Sequence, residues 1–98
     1  MYFRISGVGG YVPEHEISNR QVALSAGVSA EWIHERTGIL TRRRAAAEQA
    51  TSDLAAQAAR RALASARLEP ERLGLIVSAT SLPDELGPSV ACRIQALL

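Results

Sequence analysis

The stretch that most limits what this chain can become is the helix signal opened by Thr51-Ser52-Asp53 and running to Arg67. Leu54, Ala58, Ala62 and Ala66 fall on one line at helical spacing, with Ala55, Ala59 and Leu63 beside it. Gln57, Arg60, Arg61 and Arg67 fall on the other side. An apolar face made mostly of Ala has little side-chain bulk, so another backbone can approach it closely. A β-like segment lies on either side in sequence. Tyr2-Phe3-Arg4-Ile5-Ser6 alternates faces and is rich in β-formers, and Leu75-Ile76-Val77-Ser78-Ala79 is a short apolar run. Strand, helix, strand is the order of a βαβ crossover. The reading is therefore that residues 2–10 and 74–79 are strands of one parallel sheet, with the helix packed across them by the right-handed rule.

Between these elements the signals are shorter. Gly7-Val8-Gly9-Gly10 ends the first strand, and Tyr11-Val12-Pro13-Glu14 is a turn or extended segment. Ser18 or Asn19 caps a helix to about Ala26, stopped by Gly27. Ser29 caps a second, Ala30 to about Arg36, with Glu31 in its first turn and Gly38 placed to end it. Residues 40–50 read as an exposed connection. The segment 81–87 is a loop, and Pro88 is placed as first residue of a last helix whose apolar face is Val90, Ala91, Ile94, Leu97 and Leu98.

At 98 residues the chain makes at most one small domain with a modest core. A net charge of +1 argues against a strong electrostatic hold on nucleic acid or an anionic membrane. No run approaches the roughly 20 apolar residues of a membrane span. One Cys excludes an internal disulfide and fits a reducing compartment. No signal-peptide pattern opens the chain, so a cytoplasmic protein is the expectation.

Several motifs invite chemistry. Gly7, Gly9 and Gly10 follow a strand, but a dinucleotide fingerprint needs its third glycine at position 12. Val12 stands there and Pro13 follows instead of a helix start, so the reading is a structural turn. His15, His34 and Cys92 match no zinc spacing, and no metal is expected. Cys92 beside the apolar face of the last helix reads as a buried, inert thiol. Arg42-Arg43-Arg44 is a basic run, either solvated or a receiver of phosphates or an acidic carrier protein. Trp32, the only Trp, stands four residues before Arg36, so the two share a helix face. Two readings apply to that face. It is a core Trp beside a solvated Arg, or a nucleotide surface in which the ring stacks on a base and the guanidinium reaches a phosphate.

Glu31-Trp32-Ile33 with Arg36-Thr37-Gly38-Ile39, some twenty residues after Gly7-Val8-Gly9-Gly10-Tyr11-Val12-Pro13-Glu14, resembles the amino terminus of the β-ketoacyl-acyl carrier protein synthase III family. Leu75 to Thr80 and Pro88 to Gln95 resemble a later strand and helix of the same half-domain. The resemblance implies a partial thiolase-like α/β fold over residues 1–98, most of the first half-domain, with a mixed sheet and packed helices.

It also implies the parent reaction, decarboxylative Claisen condensation of acyl-CoA with malonyl carrier protein in fatty-acid or polyketide initiation. Acyl-CoA and acyl carrier protein are the implied partners, in a homodimer without a permanently bound cofactor. By the same resemblance Trp32 stacks on the CoA adenine, Arg36 lies near the CoA phosphates and Thr37 is in that contact region. A polar residue that touches the adenine in the family falls here at Val28. The loop 81–87 reaches across the dimer and helps floor the partner's acyl pocket, with Gly87 where a large aromatic restricts chain length. The family's catalytic Cys, His and Asn are expected beyond Leu98, so these residues alone are expected to be inactive. Three rivals remain: a related acyltransferase of secondary metabolism, a non-catalytic half-domain kept for interaction, and a small α/β domain of unrelated role.

Overall fold

The computed structural model describes residues 1–98 and divides into two compact units, one of residues 12–48 and one of residues 1–11 with 49–98.

The 12–48 unit is a small α/β unit. Strand β1 (His15–Ser18) pairs antiparallel with strand β2 (Thr41–Arg44), in the register Ile17 opposite Arg42 and Ser18 opposite Thr41. Helices α1 (Asn19–Ala26) and α2 (Ala30–Thr37) lie between them in sequence. Ser18 starts α1 with a reciprocal cap. Its Oγ accepts from Gln21 N at 3.4 Å, and its own N–H donates to Gln21 Oε1 at 2.8 Å. Ser29 Oγ accepts from Trp32 N at 3.0 Å to start α2. Gly27 and Gly38 end the two helices at φ 68°, in the left-handed region where a Cβ is costly. Ile17 and Ile33 are the buried apolar side chains of this unit.

The expected open connection over 40–50 is corrected by β2. The run Thr-Arg-Arg-Arg has no alternation of apolar and polar residues, so no strand signal exists in the side chains. Its pairing comes from the backbone and from what the arginines bind. Arg43 Nη1 donates to the carbonyls of Pro13 and Glu14 at 3.3 and 3.1 Å, and its Nη2 lies 3.4 Å from Glu16. Arg42 Nη2 donates to Asn19 Oδ1 at 2.8 Å, while Asn19 Nδ2 donates to the Ile39 carbonyl at 2.6 Å. Two of the three arginines are thus internal fasteners.

In the other unit, helix α3 (Thr51–Ala66) packs on helix α4 (Val90–Leu97). Ala56, Leu63, Val90 and Ile94 form the buried core. Asp53 Oδ2 accepts from Ala50 N at 2.8 Å, which satisfies a free amide next to the first turn of α3. Arg67, at φ 53°, ends the helix, and Leu68 N closes back on the Leu63 carbonyl at 3.0 Å. Helix α4 begins at Val90 with Ser89 as its cap, so Pro88 lies outside the helix. The hydroxyl of Ser89 supplies an acceptor for the Cys92 N–H that Pro88 at N1 would not.

The expected sheet of residues 2–10 and 74–79 does not form here. No backbone hydrogen bond joins the two segments, and the only ladder is β1–β2. Both segments nevertheless lie along α3. They border one apolar cavity of about 270 Å³ lined by Ser6, Gly7, Ala62, Leu63, Leu75 and Ile76. The Ala face does allow the close approach its composition suggests. A Cβ built on Gly9 would stand 2.3 Å from Ala62 N, and one on Gly7 2.6 Å from Ala62 O. Glycine-to-helix contact sets the path of residues 7–9. Side-chain alternation specifies faces, whereas a ladder needs a second backbone about 4.8 Å away. Tyr2, Phe3, Leu75 and Val77 stay exposed. No helix is long and apolar enough to cross a membrane.

Candidate functional site

The candidate nucleotide face is the outer side of α2. Ile33 turns into its unit and is 7% exposed, while Trp32 keeps 49% of its surface open. That division follows from helical geometry: neighbours in sequence point about 100° apart. Arg36, one turn on, places its guanidinium carbon 5.8 Å from the centroid of the Trp32 ring. This is cation–π range, so each side chain limits the other's freedom. Arg36 is exposed and has no acidic partner, leaving its donors free. The sequence prediction that Trp32 and Arg36 share one open helix face therefore holds, and the fully buried alternative for Trp32 does not.

Thr37 has a structural task. Its Oγ1 donates to the Ile33 carbonyl at 2.6 Å and accepts from Ile39 N at 3.1 Å. The single hydroxyl proton is used inside the helix, and only acceptor capacity is left for a ligand. Together with Gly38, Thr37 ends α2 in a fixed way just after Arg36. Val28, at the position where the resemblance places a polar adenine contact, offers no polar side chain.

Gly87 belongs to the other unit, on the 81–87 loop. It is exposed, a Cβ there would meet nothing within 4 Å, and its φ is outside the left-handed region. The backbone does not require glycine at this position. The loop is held at several points. Thr51 Oγ1 donates to the Leu82 carbonyl at 2.7 Å, and Asp84 Oδ1 accepts from Ser52 N at 2.9 Å. Asp84 Oδ2 accepts from Ser52 Oγ, and Arg93 lies 3.8 Å from Asp84 and 2.7 Å from Glu85. The Ser52 hydroxyl holds the Asp84 carboxyl below its ordinary value, against the opposing pull of burial and with further help from the Ser52 N–H and Arg93. Sequence reading missed this group. Ser52 read as part of a helix start, and nothing local links positions 52, 84 and 93.

Cys92 is exposed, which corrects its reading as a buried thiol. It sits one turn into α4 on the open side, with the Ser89 hydroxyl donating to its Sγ at 3.3 Å. No three His, Cys, Asp or Glu side chains converge as a metal site would require.

No family model matches the chain. Individual proteins do. It is 52% identical over 93 residues to "Acetoacetyl CoA synthase NphT7" of Streptomyces sp. strain CL190, covering 95% of this chain and 28% of that one. It is 46% identical over 97 residues to the β-ketoacyl-[acyl-carrier-protein] synthase III of Methylococcus capsulatus, covering 99% of this chain and 30% of that one. Among solved structures it aligns with the 3-oxoacyl-[acyl-carrier-protein] synthase III of Aquifex aeolicus at TM-score 0.88 and 43% identity, over 95% of this chain and 30% of that one. The priming β-ketosynthase of the R1128 polyketide pathway aligns at TM-score 0.89 and 34% identity, over 95% and 28%.

The fold is accordingly that of part of a thiolase-like α/β domain. The chain is homologous to proteins named β-ketoacyl-[acyl-carrier-protein] synthase III and acetoacetyl CoA synthase, and it spans about three tenths of the length of these relatives.

Proposed function

We propose that this chain supplies one wall of the acyl-CoA site of a synthase III-type condensing enzyme. The observation that carries the reading is the Trp32–Arg36 face: an open ring and an unpaired guanidinium, one turn apart on a helix, within a chain homologous to such enzymes. In this reading the Trp32 ring stacks on the CoA adenine and Arg36 makes a charge-assisted contact to the CoA phosphates. Thr37 holds the helix end that sets Arg36, and Gly87 leaves space in an acyl pocket. The whole enzyme is a homodimeric acyltransferase that joins an acyl-CoA to malonyl carrier protein with loss of CO2 and needs no permanently bound cofactor. The nucleophilic Cys and its His and Asn partners belong to segments outside these 98 residues, and the enzyme works in the cytoplasm. Cys92, on a helix face with a Ser for its partner, is not a nucleophile in this scheme. The chain alone is then inactive, and incubation with an acyl-CoA leaves its intact mass unchanged.

A second reading rests on the acetoacetyl-CoA synthase match at 52% identity. The extender is then malonyl-CoA in place of malonyl carrier protein. Both readings are tested in one chimera, the Methylococcus synthase III with its matching 97 residues replaced by this chain. Condensation of acyl-CoA with malonyl carrier protein supports the first reading. Product only with malonyl-CoA supports the second. A folded chimera inert with both refutes the wall assignment.

A further inference from the structure

The 81–87 loop is unlike a surface loop that hangs from its two ends. It is bonded at residue 82 through Thr51, at 84 through Ser52 and Arg93, and at 85 through Arg93. Yet its apolar residues point away from the unit, with Leu82 and Leu86 at 76% and 106% exposure. The Asp84 side chain is only 6% exposed. Both of its oxygens are used on Ser52, in the first turn of α3, where a helix N-terminus favours negative charge. A rigid frame carrying an exposed apolar tip is the construction expected of a part that must meet something at a fixed place.

We infer that Asp84 is a positioning residue for acyl-chain selection: it latches the 81–87 loop to the start of α3 and so sets where Leu86 and Gly87 stand. The inference rests on the synthase III reading above, in which this loop borders the acyl pocket. Asp84 outranks the other anchors because it alone makes two bonds to one residue and also faces a guanidinium. Asparagine keeps the shape but loses the charge that both Ser52 and Arg93 answer. Alanine removes every bond.

The test has two arms. In the 98-residue chain, hydrogen exchange is followed at the Ser52 amide, which donates to Asp84 Oδ1, for Asp84→Asn and Asp84→Ala. Loss of charge-assisted bonds should raise exchange there roughly tenfold or more, with amides of α2 unchanged. In the Methylococcus chimera, kcat/KM is compared for acyl-CoAs of increasing length. Asp84→Asn should flatten the preference among them, leaving KM for the malonyl substrate unaltered. Ser52→Thr, which keeps the hydroxyl and the N–H, should retain the preference. Unchanged Ser52 exchange in both Asp84 variants overturns the latch. Faster Ser52 exchange with an unchanged chain-length preference overturns the selectivity role and leaves Asp84 a stability residue. A folded wild-type chimera with no condensing activity refutes the function reading and the selectivity role together, and the exchange arm then decides the latch by itself.

Discussion

The Arg36 guanidinium lies 5.8 Å from the centre of the Trp32 ring, both on the open side of α2. Neither side chain is drawn into its unit: the buried position on this helix is Ile33. An exposed Trp leaves apolar surface in water, which costs on the order of 25 cal/mol per Å². A cation–π contact recovers about 0.5–1 kcal/mol at an exposed site. A nucleotide base over the ring would cover more of that surface.

The closest backbone contacts are made by Gly7 and Gly9 against α3. Gly9→Ala should destabilise the 1–11 and 49–98 unit, because its Cβ would meet the backbone at Ala58, Arg61 and Ala62, atoms that cannot swing aside. Overpacking of this kind costs about 1–3 kcal/mol. Gly10→Ala should be neutral, since nothing lies within 4 Å of that position. Urea unfolding followed by circular dichroism checks the pair. Equal midpoints for the two variants would contradict the packing.

The Asp84 latch should depend on acid. Its carboxyl titrates below the ordinary aspartate value of 3.8 in the folded chain, so its stabilising effect is present above that value and is lost as pH falls through the lower, folded one. The Ser52 amide proton shift, followed by NMR from neutral pH downward, should therefore titrate with its midpoint below 3.8. In Asp84→Asn the shift should not titrate in this range. A midpoint at or above 3.8 in the unsubstituted chain would contradict the arrangement.

Gly87 tests the size of the acyl pocket. With open space around it and an ordinary φ, Gly87→Phe should fold as the parent does. In the chimera a glycine here should admit acyl groups longer or more branched than acetyl, each buried methylene contributing roughly 0.8 kcal/mol. The phenylalanine should shift preference back toward acetyl-CoA. An acetyl preference that Gly87→Phe leaves untouched would show that this position does not border the acyl chain.

Much of this was legible in residue order, and the rest for physical reasons was not. Ser18, Ser29, Gly27 and Gly38 announce the bounds of α1 and α2 because capping is local chemistry. The Trp32–Arg36 face follows from helical period alone. The β1–β2 pair was hidden, because Thr41–Arg44 offers no alternation and its fasteners, Asn19 and Glu16, are over twenty residues away. Pattern overreached at residues 2–10 and 74–79, where strand-like side chains lie along α3 without a ladder between them. It also failed at Cys92, where one step around α4 separates buried from exposed. The Asp84 latch, joining positions 52, 84 and 93, has no local signature at all.

The central claim is that Trp32 and Arg36 hold the nucleotide end of acyl-CoA. The most direct measurement compares kcat/KM for an acyl-CoA with that for the same acyl group on pantetheine, which lacks the adenine and its phosphates, in the chimera and its Trp32→Ala and Arg36→Ala forms. A stack of about 1 kcal/mol and a charge-assisted contact of about 1.5–3 kcal/mol predict losses of roughly fivefold and roughly ten- to a hundredfold with acyl-CoA, and none with acyl-pantetheine. Equal losses on both substrates, or none on either, would contradict the assignment.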